Sequence, residues 1–175
     1  MRLKLRWRLL ALVILAISLC SSVIFDTAQA QRRRARQRAV ICGDPTARCK
    51  WADNARPFDL PFNIPPRAVA FETQPFYAVI LQSVRMRDYD DCETFIPEES
   101  RLGAQALFPN KKVFASRCAI AGDVYYMNVG EKTQFMAVYA GETMAEARRV
   151  LAMVKAMNKY PGANIRRMRG SFMGT

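Results

Sequence analysis

The chain has 175 residues, of which 51% are hydrophobic and 24% charged, the composition of a folded domain rather than of a disordered chain. Lysine and arginine outnumber aspartate and glutamate by 27 to 15, for a formal charge of +12. Histidine is absent, which excludes Ser-His-Asp and Cys-His catalytic groupings and every zinc site that needs an imidazole, and the five cysteines contain no CxxC pair.

Residues 1–30 have the layout of an export signal. Arg2, Lys4, Arg6 and Arg8 form a basic start. Leu9 to Leu19 is apolar except for Ser18, and Ala28-Gln29-Ala30 offers the small side chains that a signal peptidase admits. The expectation is an exported protein, periplasmic or extracellular, cleaved after Ala30. The alternative is a retained anchor, because Leu9 to Phe25 is 17 residues, near the lower limit of about 17–25 for a membrane span, although Ser21-Ser22 weaken it. Only in that case is the membrane itself a partner. Leu19 stands where a lipid-attachment site at Cys20 would need a small residue, and no twin arginine precedes the apolar run.

Residues 31–75 read as a basic, disulfide-looped and proline-rich arm. Gln31 to Arg38 holds five arginines and no acid, a self-repelling run attracted to anionic envelope polymers or lipid head groups. Nucleic acid is not an expected partner of an exported chain. Cys42, Cys49, Cys92 and Cys118 remain after cleavage, an even number that predicts two disulfides. Three pairings are possible. Cys42–Cys49 is favoured by the turn chemistry of Gly43-Asp44-Pro45 in the loop it would close, with Cys92–Cys118 as the second bridge. A redox or nucleophilic cysteine would need a base or a resolving thiol beside it, and no such residue is evident in the sequence. Pro57, Pro61, Pro65, Pro66 and Pro75 keep 50–75 extended. Trp51, Phe58, Leu60, Phe62, Ile64 and Phe71 predict that this stretch lies across a core instead of acting as a free linker.

From Pro75 the pattern becomes regular. Phe76 to Leu81 is a strand, and Asp88 to Cys92 an acidic loop. Pro97 opens a helix with Glu98 and Glu99 in its first turn, ending at Phe108 before Pro109. Lys112 to Cys118, Val124 to Val129 and Gln134 to Ala140 are strands, with a turn at Ala121-Gly122-Asp123. Thr143-Met144-Ala145-Glu146 is a capping box. The helix behind it places Ala147, Val150, Leu151, Val154 and Met157 on one stripe and stops at Tyr160-Pro161-Gly162. Asn164 to Met168 is the last strand. Phe76-Tyr77-Ala78-Val79 and Phe135-Met136-Ala137-Val138 agree at three of four positions, and each opens a strand–helix–strand unit. The expected fold is α+β: a split βαβ (ferredoxin- or RNP-like) antiparallel sheet with two helices over 76–170, plus the extended N-terminal arm.

Residues 76–168 resemble the SPOR (sporulation-related repeat) family, most closely in FMAVYAGETMAEARRVLAMVKAMNKYPGANIRRM. There a strand, Gly141, a capped helix with Ala147, a turn at Gly162 and a final strand follow in the family's order. The resemblance implies an exported, non-enzymatic domain that binds peptidoglycan strands. The family's polar ligand-facing residue on the first strand corresponds here to Val79, and Val124 to Val129 is an additional strand. Both faces of Phe76 to Leu81 are apolar, which predicts that both are covered, the second by the 50–75 arm or by a partner protein.

Glycan sites combine aromatic platforms with amide and basic groups. The ligand residues expected on this basis are Gln82, Arg85, Tyr125, Tyr126, Asn128, Gln134 and Tyr139. Ordinary strand composition accounts for the same residues. Asp88, Asp90, Asp91 and Glu93 lack the spaced pattern of a calcium loop and read as a solvated loop. No cofactor, metal or enzymatic activity is expected. The function expected is peptidoglycan binding in the envelope, and the alternative is a protein-interaction or structural module with its sheet face covered.

Overall fold

Strand β2 (Phe76–Arg85) separates two dry compartments. Its Phe76, Ala78 and Ile80 enter one buried cluster, and its Val79 and Leu81 enter another, because successive side chains of a strand point to opposite faces. The computed structural model describes residues 41–45, 56–64, 70–118 and 124–173, all within the unit Ala39–Thr175. The expected export signal, the basic run at 31–38, Cys49, Trp51, Pro65, Pro66 and the turn at 121–123 lie outside the described residues.

The architecture is α+β, with six strands and two helices. They run β1 (Ala70–Glu72), β2, α1 (Glu98–Gln105), β3 (Val113–Ala115), β4 (Val124–Met127), β5 (Thr133–Gly141), α2 (Met144–Ala156) and β6 (Asn164–Met173). The sheet order is β1-β6-β2-β5-β3, with β4 also paired to β6, and all pairings are antiparallel. β1 and β2 follow each other along one edge of β6. Glu72 lies opposite Ser171 and Phe76 opposite Met168, with the Thr73 N–H donating to the Gly170 carbonyl at 2.8 Å between them. β4 lines the other edge, opposite Arg169 to Phe172, and the sheet curls. Register slips between β2 and β5 at Tyr77/Ala78 and Ile80/Gln82 add local twist.

The helices cover one face. The Thr143 hydroxyl accepts from the Glu146 N–H at 3.3 Å, and the Glu146 carboxylate accepts from the Thr143 N–H at 2.9 Å, so the expected capping box is formed. Ala147, Val150 and Val154 of α2 are buried with Val79, Leu81, Met136 and Val138, and Leu151 and Met157 pack at the margin. α1 is shorter than expected. Pro97 is extended and precedes the helix instead of opening it, and single turns carry the chain from Gln105 to Phe108. Arg101 of α1 is buried; it pairs with Glu98 at 2.5 Å and donates to the Val113 carbonyl at 3.1 Å. This ties α1 to β3.

The arm covers the other face. Leu60 is fully buried among Phe76, Ala78, Ile80, Phe114, Phe135, Ala137 and Met168. Phe62 and Ile64 are buried beside Val124. The end of the arm is extended as β1, but the arm is not extended throughout, since the Asp59 N–H donates to the Arg56 carbonyl at 2.9 Å in a turn. β2 and β6 both outrun the ends expected at Leu81 and Met168. Their polar second halves, Gln82 to Arg85 and Arg169 to Ser171, stay in the sheet because neighbouring strands satisfy their backbone groups.

Candidate functional site

Four of the seven expected ligand residues line one groove of about 420 Å³: Tyr125, Tyr126, Asn128 and Gln134. β4 brings the tyrosines, Asn128 begins the turn toward β5 with φ of +68°, and Gln134 lies near the start of β5. Gln82 and Arg85 are exposed on the second half of β2, outside the groove lining, opposite Met136 and Thr133. Tyr139 is further along β5, where its ring packs on Phe76 with centroids 5.7 Å apart. It borders a separate cleft of about 610 Å³ with Lys111, Gly141, Glu146 and Arg149. Burial and the nearby Glu142 and Glu146 carboxylates push its phenol up to about 12.

Two of the four groove residues are already engaged. The Tyr126 hydroxyl accepts from the Leu60 N–H at 2.7 Å, and its ring packs on Phe114 and Phe135 at 5.1 and 5.5 Å. Burial pushes this phenol well above its usual value, so it stays neutral. Gln134 is buried; its Oε1 accepts from Ser116 Oγ at 2.5 Å, and its amide nitrogen lies 3.0 Å from Met86 Sδ. Ser116 Oγ in turn accepts from the Phe135 N–H at 2.9 Å. These two side chains hold the groove together.

The groups left open are Tyr125, which is half-buried, and Asn128, which is exposed. Tyr89 and Met127 join them and were missed from the sequence. Met127 follows from alternation, since it shares a face with Tyr125. Tyr89 had only its isolation as an aromatic residue in an acidic loop to mark it. It is 66% exposed. Its hydroxyl donates to the Glu131 carboxylate at 3.0 Å, and Lys132 Nζ stands 4.7 Å from its ring centroid. That hydrogen bond raises its phenol above the ordinary value.

The loop carrying Tyr89 is built around one acid. The Asp91 side chain is 3% exposed. It accepts from the Arg87 N–H and Nε at 3.0 and 3.2 Å, from the Thr94 N–H and hydroxyl at 3.0 and 2.7 Å, and from the Glu93 N–H at 3.2 Å. These donors hold its carboxyl far below the usual carboxylate range, the Arg87 backbone bond first among them. The expectation of a plainly solvated loop is therefore corrected at Asp91: the carboxylate replaces water with backbone donors and shapes the turn. Cys92 and Cys118 form the expected disulfide, with Cα atoms 4.9 Å apart, and fasten the loop to the chain leaving β3. Cys42 is also disulfide-bonded; its expected partner, Cys49, lies outside the described residues. Arg117 at the groove stands over the Phe58 and Phe95 rings at 4.8 and 4.3 Å and donates to the Ile96 carbonyl, joining the arm to the segment before α1.

The groove offers two tyrosine rings, a thioether and an amide, a set suited to stacking and hydrogen bonding. Among the described residues no three His, Cys, Asp or Glu side chains are placed to hold a metal ion, and no helix is long and apolar enough to cross a membrane. No family model, no curated protein and no solved structure matches this chain.

Proposed function

We propose that the chain is an exported, non-enzymatic binding module of the bacterial cell envelope whose partner is a protein. One observation carries this reading. The sheet face on which a SPOR-like module would hold a glycan strand is filled by Leu60, which is fully buried there and anchored through its N–H to Tyr126. A glycan strand laid on that face would have to displace a packed leucine and leave a buried amide unsatisfied, an unfavourable exchange. The open contacts are instead Tyr89, Tyr125 and Met127, residue types that act as anchors in protein interfaces. The Cys92–Cys118 bridge is compatible with export, and the sequence of residues 1–30 supports it. The finer fold reading, a split βαβ module of the SPOR kind, is supported by the antiparallel order β6-β2-β5-β3, in which two strand–helix–strand units interleave.

Peptidoglycan binding is the second reading, favoured by the exposed Tyr89 ring and Asn128 at the groove, where a sugar would stack and hydrogen-bond. Retention of the purified protein on sacculi, intact and stripped of stem peptides, at low and high salt, separates the two. The protein-partner reading expects no salt-resistant retention, and salt-sensitive retention reports only on the basic residues. Salt-resistant retention that prefers stripped strands and is lost in Tyr89→Ala with Tyr125→Ala establishes the glycan reading instead.

A further inference from the structure

β6 has a stretch of edge that no described strand occupies. β2 pairs with Asn164 to Met168 on one side. On the other side β4 pairs only from Arg169 to Phe172. The direction of the backbone groups follows from Gly170, whose N–H donates to Thr73 Oγ1 at 2.9 Å and whose carbonyl accepts from the Thr73 N–H at 2.8 Å. Gly170 therefore turns its polar groups toward the β1–β2 side. Alternation along the strand turns those of Met168, Arg166 and Asn164 the same way, and those of Ile165 and Arg167 outward. The N–H and carbonyl of Ile165 and Arg167 form a short open ladder in line with β4.

The side chains along this ladder are basic. Asn164, Arg166 and Arg167 are exposed, and Ile165 is half-buried. Arg169 pairs with Glu72 at 3.4 Å, whereas Arg166 and Arg167 make no ion pair among the described residues. Being adjacent, they stand on opposite faces of the sheet. An added strand would meet a guanidinium on each face.

We propose that this edge accepts an extended acidic segment of a protein partner as an added antiparallel or parallel strand. The proposal rests on the protein-partner reading and names the chemistry of the partner. Backbone hydrogen bonds to Ile165 and Arg167 supply the attachment, and the two arginines select for charge. The same arginines oppose edge-to-edge pairing of two copies, since like charges facing across a ladder repel. The edge is closed to a second copy and open to an acidic strand.

The test uses the purified protein and a fluorescein-labelled octapeptide that alternates glutamate and valine. Two controls accompany it: one of the same charge with two central valines replaced by proline, and one with lysine in place of glutamate. Anisotropy is expected to show binding of the acidic peptide, with the proline control weaker by about tenfold, because proline cannot donate to a ladder. The lysine control is expected not to bind. Residue-resolved amide exchange is expected to show new protection at Ile165 and Arg167. Arg166→Glu with Arg167→Glu is expected to weaken binding by about tenfold at an unchanged thermal midpoint. Arg166→Gln with Arg167→Gln, expected to weaken it about threefold, serves if the glutamate pair perturbs folding. Equal binding of the acidic and proline peptides, absence of binding at millimolar peptide, or protection elsewhere would overturn the edge site. Protection confined to the Tyr89–Tyr125 groove overturns the edge but leaves the protein-partner reading standing. Salt-resistant retention on stripped sacculi overturns that reading whatever happens at β6.

Discussion

On one face of the sheet, Val79, Leu81, Met136 and Val138 meet Ala147, Val150 and Val154 of α2 and Ala104 of α1. On the other, Phe76, Ala78, Phe135 and Ala137 meet Leu60 of the arm and the Tyr126 ring of β4. The first cover consists of regular helices, each adjoining in sequence a strand that it covers. The second is a leucine from a proline-rich segment and a tyrosine from a strand that hangs on the far edge of β6. Periodic elements bury a face by repetition, so no single residue decides the outcome. An irregular cover depends on a few side chains and on the hydrogen bonds that hold them, here the Leu60 N–H to the Tyr126 hydroxyl.

That contrast can be broken by experiment. Leu60→Ala is expected to lower unfolding free energy by about 4 kcal/mol, against about 2 kcal/mol for Val154→Ala on the helix face, both read by urea titration. If Leu60→Ala costs less than Val154→Ala, the arm is a detachable cover and the sheet face is again available to a glycan. Next is the Cys92–Cys118 bridge, which spans 26 residues. Its removal by Cys92→Ser with Cys118→Ser is expected to cost about 3 kcal/mol in a single cooperative transition. Two separate transitions would mean that the faces unfold independently.

Tyr126→Phe sharpens the comparison, because it keeps the ring and removes only the acceptor for Leu60. A loss of about 1.5 kcal/mol is expected, and a neutral result would locate the arm's attachment in packing alone. Thr143→Ala on the helix face is expected to cost about 1 kcal/mol through the lost cap, with helicity followed by circular dichroism. The same cap gives the gentlest effect, a pH slope. Bonds from the Thr143 hydroxyl, Thr143 N–H and Glu142 N–H hold the Glu146 carboxyl below its ordinary value. A depressed folded value means that its contribution is present above the unfolded value, near pH 4.3, and is lost as pH falls through the folded one. Melting midpoints measured from pH 7 downward should fall through this range, and the fall should be shallower in Glu146→Gln.

Much of the helix face was legible in the residues. The capping box at Thr143 and Glu146 and the stripe from Ala147 to Val154 are local signals, complete within four turns of helix. The groove was legible only in part. Tyr125 is half-buried and Asn128 exposed, but Tyr126 and Gln134 serve Leu60, Ser116 and Met86, partners far away in the chain. Tyr89 was missed because its exposure depends on the Asp91-centred turn, on Glu131 and on Lys132. Asp91 itself looked solvated because three of its five donors are backbone amides, which every sequence has and no sequence displays.

The sequence by itself determined that β2 has two apolar faces, that both must be dry, that α2 begins at Met144, and that Cys92 has a partner to find. These follow from alternation, capping and the even cysteine count, all of which act over short stretches or by simple counting. Only the tertiary structure decided that Leu60 and Tyr126 are the second cover and that β4 lies along β6 from Arg169 to Phe172, so that no described strand pairs with Ile165 and Arg167 on that side. Burial of a face constrains how much apolar surface must arrive, not which segment brings it, and strand pairing is settled between residues whose separation along the chain leaves no periodic trace.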